Sequence, residues 1–163
     1  MESNKLRFAM LLIVITAGAL GMRHYFSPEQ VVRRQLHEAI GSFENEKILG
    51  VLAKVSRSYS DRWGGTYERL GGYLQPMMDA YDALMVDLDI QSVEMDGDEA
   101  RIGITFVVSG RTDVGRGDIL GGESGPCRAT IRWVREEAGW RLSETEELDI
   151  PELREELKHR RQR

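Results

Sequence analysis

The chain contains 163 residues, of which 41% are hydrophobic and 30% are charged, and it carries a formal net charge of −5. This hydrophobic content excludes intrinsic disorder for most of the chain, and the length suits one domain with one core. The negative charge excludes the basic field that attracts a phosphate backbone, so we expect no nucleic-acid binding.

The first element is an apolar run over residues 8–22, which follows Lys5 and Arg7 and precedes Arg23. A positive start and an apolar run of this length are typical of a signal peptide or signal anchor. A fifteen-residue helix spans about 22 Å, less than the ~30 Å of a bilayer core, but flanking side chains that snorkel can extend it. We predict that residues 1–26 form a single-pass transmembrane or signal helix, and a buried core helix is the alternative.

The location of the remaining chain depends on how such segments insert. Positive charges flank the apolar run on both sides, so the positive-inside bias nearly cancels. Short N-terminal anchors usually export the domain attached to them, so we expect residues 27–163 on the extracytoplasmic, periplasmic side. Small residues at 17–19 offer a cleavage site, which leaves secretion after signal cleavage as the alternative.

Three helices are predicted next. Residues 27–30 combine a serine cap, a proline and a glutamine, which together mark a helix start, and apolar residues recur at helical spacing over 32–43. A short second helix is expected over 48–55. After a loop or very short strand at 56–65, a third helix is predicted over 66–85.

From Val86 onward, apolar residues recur at every second position, which predicts antiparallel strands. Four strands are expected, over 86–95, 100–108, 127–133 and 140–142.

Breaks in this pattern predict the connections. The apolar parity changes near Gln91 and Ser92, which predicts a bulge, and Asp96-Gly97 predicts a hairpin turn. The glycine-rich stretch 110–126 is expected to be a long loop. Residues 151–163 are expected to form a charged helix or tail.

The order of these elements resembles the nuclear transport factor 2-like (NTF2-like) superfamily, also called cone-fold or cystatin-like. Residues 93–102 resemble its aspartate-glycine-aspartate hairpin, and residues 132–142 are similar to its closing hairpin, in which a charged turn precedes glycine-tryptophan. The loop 59–66 is similar to that of the exported bacterial branch. The resemblance implies an α+β domain over residues 27–150, with three helices packed in the concavity of a curved antiparallel sheet.

That fold implies a conical pocket between the helices and the sheet. Several aromatic and methionine side chains share a face of the predicted third helix, and strand residues would complete the lining. The expected pocket residues are Tyr67, Tyr73, Met77, Tyr81, Met85, Phe106 and Trp133. Ordinary core packing is the alternative interpretation of the same residues.

Relatives of the steroid isomerase type pair a buried aspartate base with a tyrosine or an acid. The candidates for such a pair here are Tyr59, Asp61 and Tyr81. However, no strand position expected to face the pocket carries a carboxylate, which argues against catalysis.

Other chemistries have weaker support. The histidines are scattered, and Cys127 has no histidine near it in the sequence, so we expect neither a metal site nor a cofactor, and a buried or half-buried Cys127. A single cysteine also excludes an intramolecular disulfide.

We therefore expect a membrane-tethered, non-catalytic binding module for a small apolar ligand or a partner protein. The resemblance also implies homodimerisation through the sheet. The alternative is an isomerase-like or hydratase-like enzyme that uses a tyrosine–aspartate pair.

Overall fold

The computed structural model describes residues 27–113 and 115–151. The predicted membrane segment 8–22 and most of the predicted C-terminal tail lie outside the described residues. Within those residues, no helix is both long and apolar enough to cross a bilayer.

The described chain forms an α+β domain with three helices: α1 (Pro28–Glu44), α2 (Ile48–Leu52) and α3 (Tyr67–Ala80). The predicted start of α1 is confirmed, because the Oγ of Ser27 accepts a hydrogen bond from the Gln30 backbone N–H at 3.3 Å. This bond satisfies one of the backbone donors that a helix start leaves unpaired.

The third helix is shorter than predicted. It ends at Ala80, because Tyr81 takes up an extended conformation and Ala83 has a φ of +50°. Leu84 and Met85 therefore belong to a strand, although their spacing also fitted a helical period. The prediction that Tyr81 and Met85 lie on the face of α3 is wrong.

Within the described ranges, six strands form one curved sheet, whereas four strands were predicted from Val86 onward. They are β1 (Val55–Asp61), β2 (Asp82–Asp96), β3 (Glu99–Thr112), β4 (Gly115–Leu120), β5 (Cys127–Glu136) and β6 (Gly139–Asp149). The strand order is β1-β6-β5-β3-β2, and β4 pairs with the far end of β3. All pairs are antiparallel except β1 with β6, which is parallel.

The two additional strands are β1, which lies where a loop or very short strand was expected, and β4, which lies where a long loop was expected. β1 includes Val55, which was assigned to the second helix, and its register with β6 is interrupted between Val55 and Ser60. β4 falls in the glycine-rich stretch, where the side chains of residues 115–118 are exposed. Neither strand shows a regular alternation of buried and exposed residues, so the periodicity of two that reveals a half-buried strand is missing.

The predicted bulge and hairpin are both confirmed. Ile90 pairs with Ile104, while Ser92 pairs with Gly103, so β2 carries an extra residue at this point. The β2–β3 hairpin closes at Asp96–Glu99, with Gly97 at a φ of +58°. Glycine adopts this left-handed conformation without strain.

The core lies where α1 packs against one face of the sheet. Val32 and Leu36 of α1 meet a buried cluster of strand side chains, Ala100, Ile102, Ile104, Ala129, Ile131, Trp133 and Trp140. The opposite side is the polar face, which we define by Gln91, Arg101, Gly103, Thr105, Arg128, Thr130, Arg132, Glu144, Glu146, Glu147 and Asp149.

Candidate functional site

The polar face contains a groove of about 570 Å³ that crosses β2, β3, β5 and β6. Its polar lining consists of Gln91, Thr105, Arg128, Thr130, Glu147 and Asp149. Gly103 lies among them and pairs with Thr130 of β5. Because glycine has no side chain, the centre of the groove stays open.

The bulge in β2 lies directly beside this glycine. A Cβ atom on Gly103 would lie 2.8 Å from the Oγ of Ser92, which is closer than real Cβ contacts allow. The bulge therefore places the Ser92 hydroxyl over the backbone of β3, and a side chain at position 103 would require that hydroxyl to move.

The groove offers hydrogen-bonding groups of both kinds. The side-chain amide of Gln91 donates to Asp89 Oδ2 at 2.6 Å and to Thr105 Oγ1 at 3.2 Å. Arg128 contributes a cation, and Glu147 and Asp149 contribute carboxylates on the neighbouring strand. This mixture suits a polar partner surface better than an apolar ligand.

Ion pairs order the polar face beside the groove. Arg101 donates two hydrogen bonds to Glu146, at 2.8 and 3.0 Å, and this bonding raises the pKa of the Arg101 guanidinium above its ordinary value. Arg132 donates a hydrogen bond to the Glu144 carboxylate, and its Nη1 lies 3.7 Å from Glu99 Oε2. The Arg101–Glu146 pair has the bidentate geometry that a planar guanidinium favours with a carboxylate.

Two of the predicted catalytic residues lie together on β1. Tyr59 is 5% exposed, and its hydroxyl lies 3.0 Å from Thr145 Oγ1 and 3.4 Å from Asp61 Oδ2. Burial raises the pKa of the Tyr59 hydroxyl above its ordinary value, and the neighbouring charge of Asp61 acts in the same direction.

The Asp61 carboxylate, however, holds its own loop. Its Oδ1 accepts hydrogen bonds from the backbone N–H groups of Trp63 and Gly65, both at 2.8 Å. A general base needs a carboxylate oxygen within reach of the substrate proton. One oxygen of Asp61 is already occupied by two backbone donors, and the other faces Tyr59. Tyr81 lines a separate cavity of about 180 Å³ with Gly110 and residues of β4.

The seven predicted pocket residues occupy different environments. Trp133 is 1% exposed within the core, and its indole N–H has no hydrogen-bond partner among the described residues. Tyr73 and Met85 are 60% and 47% exposed. The ring of Tyr67 lies 4.1 Å beneath the Arg57 guanidinium. Met77, Tyr81 and Phe106 are half-buried. A shared pocket for this set remains a prediction.

The groove was not predicted, because sequence reasoning followed the apolar side of each strand. One signal was available. Gly103 sits in the middle of an otherwise regular alternation from Ala100 to Val108, and a glycine inside a strand marks a bulge or a close approach. The prediction that Cys127 is buried or half-buried is confirmed, since its side chain is fully enclosed.

No family model matches the sequence, and no curated protein matches it. Solved structures are similar in fold. Aln2 from a Streptomyces species has a TM-score of 0.63 at 14% identity, over 80% of this chain and 97% of that one. A candidate dehydratase of the NTF2-like family from Streptomyces avermitilis has a TM-score of 0.60 at 13% identity, over 73% of this chain and 93% of that one.

A Nostoc punctiforme protein of unknown function with a cystatin-like fold gives a TM-score of 0.55 at 16% identity, over 75% of this chain and 90% of that one. Identities this low establish architecture and leave activity open. The domain therefore has the cystatin-like cone fold that it shares with NTF2-like proteins.

Proposed function

We propose that the chain is a membrane-tethered, non-catalytic interaction module that binds a partner protein through the groove on the polar face. The groove itself is the observation that supports this function most strongly. Four strands contribute to it, its volume is about 570 Å³, and its lining includes a cation, two carboxylates and three neutral polar side chains. Polar, partly wet surfaces of this kind are common in non-obligate protein interfaces.

The exposure of the groove argues against catalysis there. Gln91, Arg128 and Glu147 are exposed to solvent. Enzyme sites of the isomerase type exclude water, which strengthens their electrostatic interactions. A solvent-filled groove is better suited to hydrogen bonding with a partner surface.

The proposed tether is the apolar segment 8–22, and only residues 23–26 separate it from Ser27, the cap of α1. Such a short connection would keep the domain close to the bilayer surface. Carbonate extraction of membranes tests the tether: the full chain should stay in the pellet, and a variant without residues 1–26 should not. Release of the full chain into the supernatant would argue against a membrane span.

A photo-activatable amino acid at Thr130, in cells that produce the full chain, tests the groove. We expect one discrete crosslinked product from this position. The matched control places the same amino acid at Glu68, an exposed position on α3. The proposal fails if Thr130 yields no product or if both positions yield the same products. A product of twice the chain mass would identify the partner as a second copy, in the predicted sheet-to-sheet homodimer.

One observation favours the alternative enzyme. The Tyr59 hydroxyl lies within hydrogen-bonding distance of both Asp61 and Thr145, and burial raises the pKa of Tyr59. A β,γ-unsaturated ketone is a suitable probe, because its isomerisation to the conjugated enone is followed by ultraviolet absorbance. We expect no turnover by the unmodified protein. Turnover that is lost in Tyr59→Phe would instead establish the isomerase-like function.

A further inference from the structure

The outer edge of β2 has no strand partner among the residues that the structure describes. β2 is the terminal strand of the path β1-β6-β5-β3-β2, and among the described residues it pairs with β3 only. The backbone N–H and C=O groups on its other edge are available to a further strand.

A side-chain contact identifies which backbone groups point outward. The N–H of Val86 donates to Glu44 Oε1 at 2.8 Å, so this N–H points away from β3. Hydrogen-bonding direction alternates along an antiparallel strand, and the register from Val86 to Ile90 is uninterrupted. The N–H and C=O groups of Leu88 and Ile90 therefore also point to the free edge, up to the bulge at Gln91–Ser92.

The side chains along this edge alternate in character. Asp87 and Asp89 are exposed on one side of the strand, and Leu88 and Ile90 are half-buried on the other. Asp89 accepts a hydrogen bond from Gln91. Within the described part of the chain, no ion pair involves Asp87 or Asp89.

We propose that the β2 edge over residues 87–90 binds an extended peptide segment in which basic and apolar residues alternate. The segment adds a strand to the sheet and pairs with the outward backbone groups of Leu88 and Ile90. Its basic side chains lie beside Asp87 and Asp89, and its apolar side chains extend the half-buried row. This site adjoins the groove through the hydrogen bond from Gln91 to Asp89, but it is formed by the edge of β2 and not by the groove lining.

The same charges disfavour a second copy of this strand as the occupant. In an edge-to-edge pair of β2 strands, Asp87 and Asp89 would lie opposite or diagonal to their own equivalents. Like charges across a strand pair are destabilising, whereas opposite charges stabilise the pairing.

Glu44 limits how far a peptide can pair. Its carboxylate occupies the Val86 N–H, which is the next outward donor along the edge. Glu44→Ala removes this competitor and leaves one more donor for the peptide. We expect this variant to bind the peptide more tightly than the unmodified protein does.

The test uses a fluorescent peptide of alternating lysine and valine, titrated with the full chain in mild detergent and followed by fluorescence anisotropy. A second peptide replaces lysine with glutamate. A third keeps the lysine–valine sequence but carries N-methyl groups on the amides that face the protein. We expect binding of the first peptide, with at least tenfold weaker binding of the other two.

The N-methyl peptide separates strand addition from simple attraction of charges, because it has the same charge and cannot pair its amides. Equal binding of the two basic peptides would overturn the proposal, as would no binding of the first peptide.

Reversal of the charges on β2 provides a second test of the same proposal. The double variant Asp87→Lys with Asp89→Lys should prefer the glutamate peptide at least tenfold. The matched control, Glu68→Lys with Asp79→Lys, makes the same charge change on exposed positions of α3 and should keep the original preference. A reversal in both variants, or in neither, would contradict binding at the β2 edge. Circular dichroism of each variant verifies that the fold is retained.

Discussion

The clearest prediction concerns Gly65, which closes the loop after β1. A Cβ atom on Gly65 would lie 2.8 Å from the Cγ atom of Asp61, within the carboxylate that accepts the Trp63 and Gly65 N–H groups. Gly65→Ala must therefore displace this carboxylate. Both backbone hydrogen bonds should be lost with it.

The expected cost comes from those two bonds. Hydrogen bonds to a charged group contribute about 1.5–3 kcal/mol each when buried, and Asp61 is only half-buried. We therefore expect Gly65→Ala to lower the free energy of unfolding by about 2–3 kcal/mol. Urea unfolding of the full chain in mild detergent, followed by tryptophan fluorescence, measures the change.

A double-mutant cycle isolates the cause. Once Asp61→Ala has removed the carboxylate, Gly65→Ala should cost less than about 0.5 kcal/mol. The control Gly72→Ala lies in the exposed interior of α3, where a Cβ meets nothing within 4 Å, and should raise stability by about 0.5–1 kcal/mol. An equal cost of Gly65→Ala with and without Asp61 would refute the reasoning.

Three further predictions concern other parts of the molecule. Tyr59→Phe should cost about 1 kcal/mol at neutral pH. Because the folded-state pKa of Tyr59 is raised, the unmodified protein should lose stability as the pH rises above about 10. The Tyr59→Phe variant should lose less stability over the same range. Urea unfolding at about pH 9 and 11 measures both losses. Arg101→Gln, which breaks an exposed ion pair, should lower the free energy of unfolding only slightly, and about 1 M salt should reduce the difference from the unmodified protein. Alkaline phosphatase fused after Arg163 should be active if the domain is exported, and an inactive fusion beside an active cytoplasmic reporter would place it inside.

Local signals in the sequence predicted much of the fold. The Ser27 cap, the bulge near Gln91 and the turn at Gly97 each depend on neighbouring residues, and all three are confirmed. The end of α3 could not be located in this way. The spacing of Leu84 and Met85 fits both a helix and a strand, and pairing with β3 decides between them.

The Tyr59–Asp61 pair and the groove were harder to predict from the sequence than the fold was. The proximity of Tyr59 and Asp61 follows from their spacing on one strand, but the loop bonds of Asp61 depend on where the backbone of Gly65 turns. The groove depends on four strands brought together in space, with Gly103 at their centre. No local pattern contains that arrangement, because its members come from residues 91 to 149.

The parallel pairing of β1 with β6 has a consequence for biosynthesis. Ser60 pairs with Glu144, so β1 must wait for 84 further residues before its partner exists. At about 5–20 residues per second, this delay lasts roughly 4–17 s. During that interval β1 is an unpaired strand that chaperones and proteases can reach. A chain truncated before β6 would leave β1 without this partner, so we expect such a chain to be degraded in cells and not to form a smaller working domain.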